Sequence, residues 1–129
     1  MTYTINQQQF EAVLTLPANE RYDHFIKRVA DSEEAWGLRS EGGWSLAGDE
    51  KQAAFPLWPY KVYAEACATG EWADAVPEAI EIEDLTELLE KLDAEGLVVA
   101  VFPTPQGKGV VVTPDELRQH LEHELQNYL

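Results

Sequence analysis

The run Leu97-Val98-Val99-Ala100-Val101-Phe102 constrains the fold of this chain more than any other stretch. It is unbroken, apolar and rich in β-branched residues, and too short for a typical helix. Gly96 precedes it and Pro103 follows it, so the segment is bounded on both sides. A strand of this kind belongs in the middle of a sheet with both faces covered. The rest of the chain must then supply the elements that cover it.

Helical periodicity supplies most of them. Phe10, Val13 and Leu14 recur at helical spacing, and the break falls at Leu16-Pro17, because a residue before proline avoids the helical region. Pro17 then suits the first turn of a second helix, whose Tyr22, Phe25, Ile26 and Val29 form one apolar face. A third helix is expected from Pro59 through Tyr63 and Cys67, with Gly70 closing it. Asp84-Leu85-Thr86-Glu87 resembles a capping box ahead of Leu88, Leu89 and Leu92. The strongest local signal is Thr113-Pro114-Asp115-Glu116, an N-cap threonine, proline at the first helical position and glutamate three residues after the cap. Leu117, Leu121, Leu125 and Tyr128 line the helix it opens.

Strands fill the remainder. Ala35–Arg39 and Trp44–Ala47 read as a hairpin around Ser40-Glu41-Gly42-Gly43. After a second turn at Gly48-Asp49-Glu50-Lys51, Ala53–Trp58 is a third strand, with Pro56 marking an edge or the strand's end. Ala79–Glu83 alternates as a strand, and Val110–Val112 pairs back on the central run after the turn Gln106-Gly107-Lys108-Gly109. The order α-α-β-β-β-α-β-α-β-β-α gives an α+β class: a mixed, largely antiparallel sheet with helices packed mainly on one face. Residues 1–129 read as one domain, without repeat or linker.

Charge is the most extreme bulk property. The chain holds 24 Asp and Glu against 9 Lys and Arg, a net charge of −15. Such a surface repels phosphates and anionic lipid, so neither nucleic acid nor membrane is an expected partner, whereas a basic protein would be attracted. Residues 71–96 concentrate the effect: ten carboxylates stand against Lys91 alone, −9 of the −15. Glu78, Glu81, Glu83, Glu87 and Glu90 are the candidate acidic surface within it, read against a plain solvated face. A single cysteine permits no intrachain disulfide and suits a reducing, cytoplasmic compartment. The N-terminus lacks the basic and apolar regions of a signal peptide, and no apolar run approaches the roughly 20 residues needed to cross a bilayer.

No motif names a reaction. The Gly107-Lys108-Gly109 turn lacks the glycine spacing and the Ser or Thr of a phosphate loop. His120 and Glu124 stand four apart on the last helix, with His123 and Glu116 near, but a metal would need a further ligand from elsewhere. Cys67 with His24 would be a nucleophile and base; mid-helix among alanines, Cys67 reads instead as a small buried hydrophobe. No cofactor or metal is implied. The aromatic residues carry more: Trp36, Trp58, Tyr60 and Trp72 are the candidate ligand or partner surface, and with Trp44 they could equally form one large core.

Several segments in fixed order resemble one family: Asp31–Leu38, Phe55-Pro56-Leu57-Trp58-Pro59, Cys67-Ala68-Thr69-Gly70-Glu71-Trp72, Val101–Pro105 and Gly107–Val112. The chain is similar over nearly its whole length to the bacterial domain-of-unknown-function family 2750. That resemblance implies a small single-domain bacterial protein and no activity, so no catalytic residue carries over. The layout of capped helices and apolar strand also resembles the enhanced-serine-sensitivity type of domain, which supplies no site. The expectation is therefore a non-catalytic binding or regulatory module, in one version an acidic immunity or inhibitor-type protein, with a homodimer a further possibility. The alternative is a small-molecule-binding protein, or an enzyme, with its site in an aromatic-lined cleft.

Overall fold

The computed structural model describes residues 7–48, 52–105 and 107–128. The expected turn at Asp49–Lys51 and the residue Gln106 of the later turn lie outside the described residues, as does the side chain of Tyr128.

Two helices lead the chain. Helix α1 (Gln7–Leu14) stops short of Pro17, which stands as the N-cap of α2 (Ala18–Ser32). The α2 face buries Phe25, Ile26 and Val29 as its spacing requires, and with them Arg21. Glu33 ends the helix in the left-handed region at φ 60, its N–H bonded to the Val29 carbonyl at 2.8 Å.

Strand β1 (Glu34–Ser40) turns tightly into β2 (Gly43–Trp44), with Ser40 opposite Gly43. Gly43 has φ 114, which glycine adopts without strain. Gly37 serves differently: a Cβ there would lie 2.9 Å from Cζ3 of Trp44, so its absence lets the indole settle on β1 and reach Phe55. The single strand expected at Trp44–Ala47 is broken. β2 pairs with β1, whereas β3 (Ala47–Gly48) pairs with β4 (Ala53–Leu57), because the chain passes between two sheets at Ser45-Leu46.

One sheet is antiparallel, in the order β2-β1-β5, where β5 is Val76–Glu81. The other runs β3-β4-β6-β7, with β6 at Val98–Val101 and β7 at Val110–Val112. Only β4 and β6 are parallel. The two sheets join where Trp36 and Trp58 exchange backbone bonds of 2.8 and 2.9 Å. The class is thus α+β and largely antiparallel, with the strands divided between two sheets. Pro56 lies inside the second sheet, but β3 pairs only as far as Ala54, so its missing N–H breaks no bond to that neighbour.

Helix α3 (Lys61–Cys67) is shorter than expected, and Gly70, at φ 58, opens a 3-10 turn over Gly70–Trp72. Helix α4 (Ile82–Ala94) leaves β5 directly, without the expected cap at Asp84. Its first turn is anchored by tertiary contact, the Ile82 N–H bonding the Glu33 carbonyl at 2.8 Å. Thr86 donates back to the Ile82 carbonyl at 3.0 Å. Helix α5 (Pro114–Leu125) starts as the sequence dictates, with Thr113 Oγ1 accepting from the Glu116 N–H at 3.1 Å. Among the described residues no helix is long and apolar enough to cross a membrane.

Phe55, Leu57, Val99 and Val101 point to one side of the second sheet, since side chains alternate and the parallel register sets Phe55 beside Val99 and Leu57 beside Val101. There they meet Leu85, Leu89, Leu117 and Leu121 of α4 and α5 in one continuous core. The central run is therefore fully covered on that face. On the other face Val98 is only half-buried and borders a cleft.

Candidate cleft on the open sheet face

The cleft has a volume of about 640 Å³. Its floor is the second face of the β3-β4-β6-β7 sheet: Ala47, Ala54, Val98, Ala100 and Val111. Register brings Ala47 beside Ala54, so small side chains adjoin across neighbouring strands and leave a hollow where larger ones would meet.

One wall is formed by residues 102–105 and 107–109, held at several points. Phe102 sits at φ 57, uncommon for a bulky residue, with its N–H on the Leu57 carbonyl at 2.8 Å. Thr104 and Gly107 close a tight turn through bonds of 2.9 and 3.3 Å. At Gly109 a Cβ would fall 2.2 Å from the Val101 carbonyl oxygen, so the return of the chain to β7 requires glycine. Arg21 clamps this wall from inside the core. Only 6% exposed, it donates from Nε to the Phe102 carbonyl at 3.1 Å, from Nη2 to the Lys108 carbonyl at 2.9 Å, and from Nη1 to the Leu16 carbonyl at 2.6 Å. Burial pulls its pKa below the ordinary arginine value, yet a guanidinium in this setting keeps its proton.

The second wall carries the aromatic pair. Trp58 is fully buried and donates from Nε1 to the Pro103 carbonyl at 2.8 Å. Trp72 stands edge-on to it, ring centroids 6.0 Å apart, and lines the cleft. Cys67 lies between, its Sγ donating to the same Pro103 carbonyl at 3.4 Å. Burial pushes this thiol up to about 11, against smaller opposing effects of Trp58 and Arg21. Burial favours its neutral form, which disfavours a nucleophilic role at neutral pH. His24, its candidate base, lies instead against Phe102, ring centroids 6.3 Å apart, with Nε2 buried and unbonded. Burial, with Arg28 and Lys27 beside it, holds the imidazole below its ordinary pKa.

The four aromatic candidates do not form one surface: Trp36 and Trp72 both adjoin Trp58, and Tyr60 packs on Tyr63. Trp58 is core and no part of a surface. Trp36 is half-buried between the sheets, and Tyr60 borders a separate 160 Å³ hollow with His24 and Tyr63. Trp72 alone reaches the cleft. On the last helix, Nδ1 of His120 is taken by a short hydrogen bond with the Tyr22 hydroxyl, and burial pushes that phenol up to about 12. Among the described residues no group of three or more His, Cys, Asp or Glu could hold a metal ion. The acidic candidates are all exposed: Glu78 and Glu81 on β5, Glu83, Glu87 and Glu90 on α4. Glu78 pairs with Arg39 at 3.2 Å.

A model of proteins of unknown function, DUF2750, matches residues 22–121. The chain belongs to the DUF2750 family. No curated protein matches it. The matched segment spans all described residues of the cleft lining, from Ala47 to Val111, and stops one residue short of Arg21. In this DUF2750 domain the residues that sequence reasoning missed are Arg21, Lys108 and the small floor residues. A trace of the floor was present in Ala100, set between Val99 and Val101. Nothing in the spacing around Arg21 separates a buried clamp from a solvated helix arginine.

Proposed function

We propose that this domain is a non-catalytic binding module that receives a small, largely apolar molecule in the cleft on the open sheet face. The observation that carries this reading is the cleft itself. It is of ligand size, in the range of about 300–1,000 Å³ typical of small-molecule sites. Its floor is apolar, and its walls are fixed before any ligand arrives by Arg21, Trp58 and the Thr104–Gly107 turn. Pre-formed walls spare a ligand the cost of ordering them. The described lining contains no histidine and no carboxylate, and burial holds its one thiol towards the neutral form, which favours binding over acid–base or nucleophilic chemistry. A reducing cytoplasmic setting is consistent with the lone buried thiol.

Amide chemical-shift mapping with a panel of small apolar molecules tests the reading. Shifts should cluster at Ala54, Trp72, Val98 and Ala100. A panel that shifts only α4, or nothing, would remove it.

A second reading rests on α4, where Glu83, Glu87 and Glu90 share one exposed face by their spacing. There a basic protein would dock electrostatically, as an immunity-type protein meets its target. Such a complex should weaken steeply between low and high salt; a salt-insensitive or acidic partner excludes it.

A further inference from the structure

We propose that the cleft selects a small molecule with an apolar body and one anionic group, the body on Ala54, Val98 and Ala100 and the anion at Lys108. This rests on the cleft being a binding site, and it adds the ligand's sign.

The chain as a whole carries −15, so its surface at large disfavours anions. The described lining of the cleft carries the opposite sign. Among its described lining residues Lys108 is the only charged one, and it is exposed. A second positive charge lies behind the same wall. All three hydrogen bonds of buried Arg21 go to backbone carbonyls and none to a carboxylate, so its charge is solvated by dipoles and not cancelled. Its Nε holds the Phe102 carbonyl, next in the chain to the Pro103 carbonyl that Cys67 of the cleft lining bonds. Arg21 also holds the Lys108 carbonyl, so the backbone that carries the lysine is fixed against the core. A cationic ligand would meet two like charges and no described carboxylate. A neutral ligand would gain the floor but leave Lys108 unused.

Geometry selects a small molecule over an extended peptide. The floor is the face of the sheet, where side chains point, and not an edge offering free N–H and C=O groups, so no main-chain ladder could be added there.

Three probes of equal chain length separate the possibilities: decanoate, decanol and decyltrimethylammonium, each below its aggregation threshold, followed by amide and indole shifts at the cleft. Decanoate should bind most tightly and the ammonium most weakly, with the decanoate affinity falling as salt rises. Lys108→Gln should weaken decanoate about tenfold and leave decanol unchanged. Lys108→Arg should restore decanoate, and Lys61→Gln, on α3 away from the cleft, should not alter it. If decanol and decanoate bind the cleft equally, or the ammonium binds best, the anion selectivity is wrong while the cleft remains a site. If none of the three shifts a cleft residue, both readings fall.

Discussion

The two faces of the β3-β4-β6-β7 sheet are built from the same strands and differ in almost everything else. On one, Phe55, Leu57, Val99 and Val101 are 2% exposed or less and interlock with α4 and α5. On the other, Ala54, Val98, Ala100 and Val111 floor a cleft, and Val111 is 59% exposed. On β4 the alternation that sends every second residue to the opposite face places Phe55 and Leu57 where helices must be held and Ala54 where space is kept. One face supplies stability. The other floors the proposed binding cleft.

The contrast can be broken first on the closed face. Leu57→Ala removes a fully buried side chain and should cost about 3 kcal/mol in denaturant unfolding. A cost below about 1 kcal/mol would mean the two faces are not so different. Next comes the clamp that joins the core to the cleft wall. Arg21→Met keeps the length but strands the Phe102 and Lys108 carbonyls, and should cost about 2 kcal/mol. Shift changes along the wall, from Phe102 to Gly109, should accompany it; loss of stability without them would make Arg21 a packing residue only.

Cys67 sharpens the boundary between the faces, because it borders the cleft yet is 7% exposed. A thiol moved from its ordinary 9.0 up to about 11 holds its proton more tightly folded than unfolded. Stability from it is intact below pH 9 and declines as pH rises through about 11. Cys67→Ala should flatten that alkaline decline in urea midpoints; Tyr22, pushed up to about 12, titrates in both proteins and cancels in the comparison. At pH 8, native-state alkylation should be slower than in the unfolded chain by about a hundredfold. Rapid labelling would place the thiol in the open cleft. Further out, Thr113→Ala removes the cap of the helix that covers the closed face and should cost about 1 kcal/mol, read from thermal unfolding. The smallest effect belongs to the open face, where Val111→Thr should change stability by no more than about 0.5 kcal/mol.

Much of this was legible in the residues. Thr113-Pro114-Asp115-Glu116 fixed a helix start because all of its signals are local, a side-chain oxygen within reach of an N–H three residues on. The Ser40–Gly43 hairpin was legible for the same reason. Asp84-Leu85-Thr86-Glu87 misled, because a bond between Ile82 and Glu33, far apart in the chain, starts α4 earlier than any local cap would. Among the aromatic residues, composition raised both core and surface. Pairing then decided residue by residue, burying Trp58 through its bridge to Trp36 and leaving Trp72 at the cleft.

By itself the sequence determined most of the helices and strands, the α+β class, the acidic balance and the absence of an intrachain disulfide, since periodicity, caps and charge act over a few residues or as a sum. Only the tertiary structure decided that the strands divide into two sheets, that one face of the central strand borders a cleft, and that Arg21 from the second helix holds the wall beside it. Those outcomes depend on which side of a strand its neighbours fill. An apolar run reads the same from either side until the rest of the chain has packed against one of them.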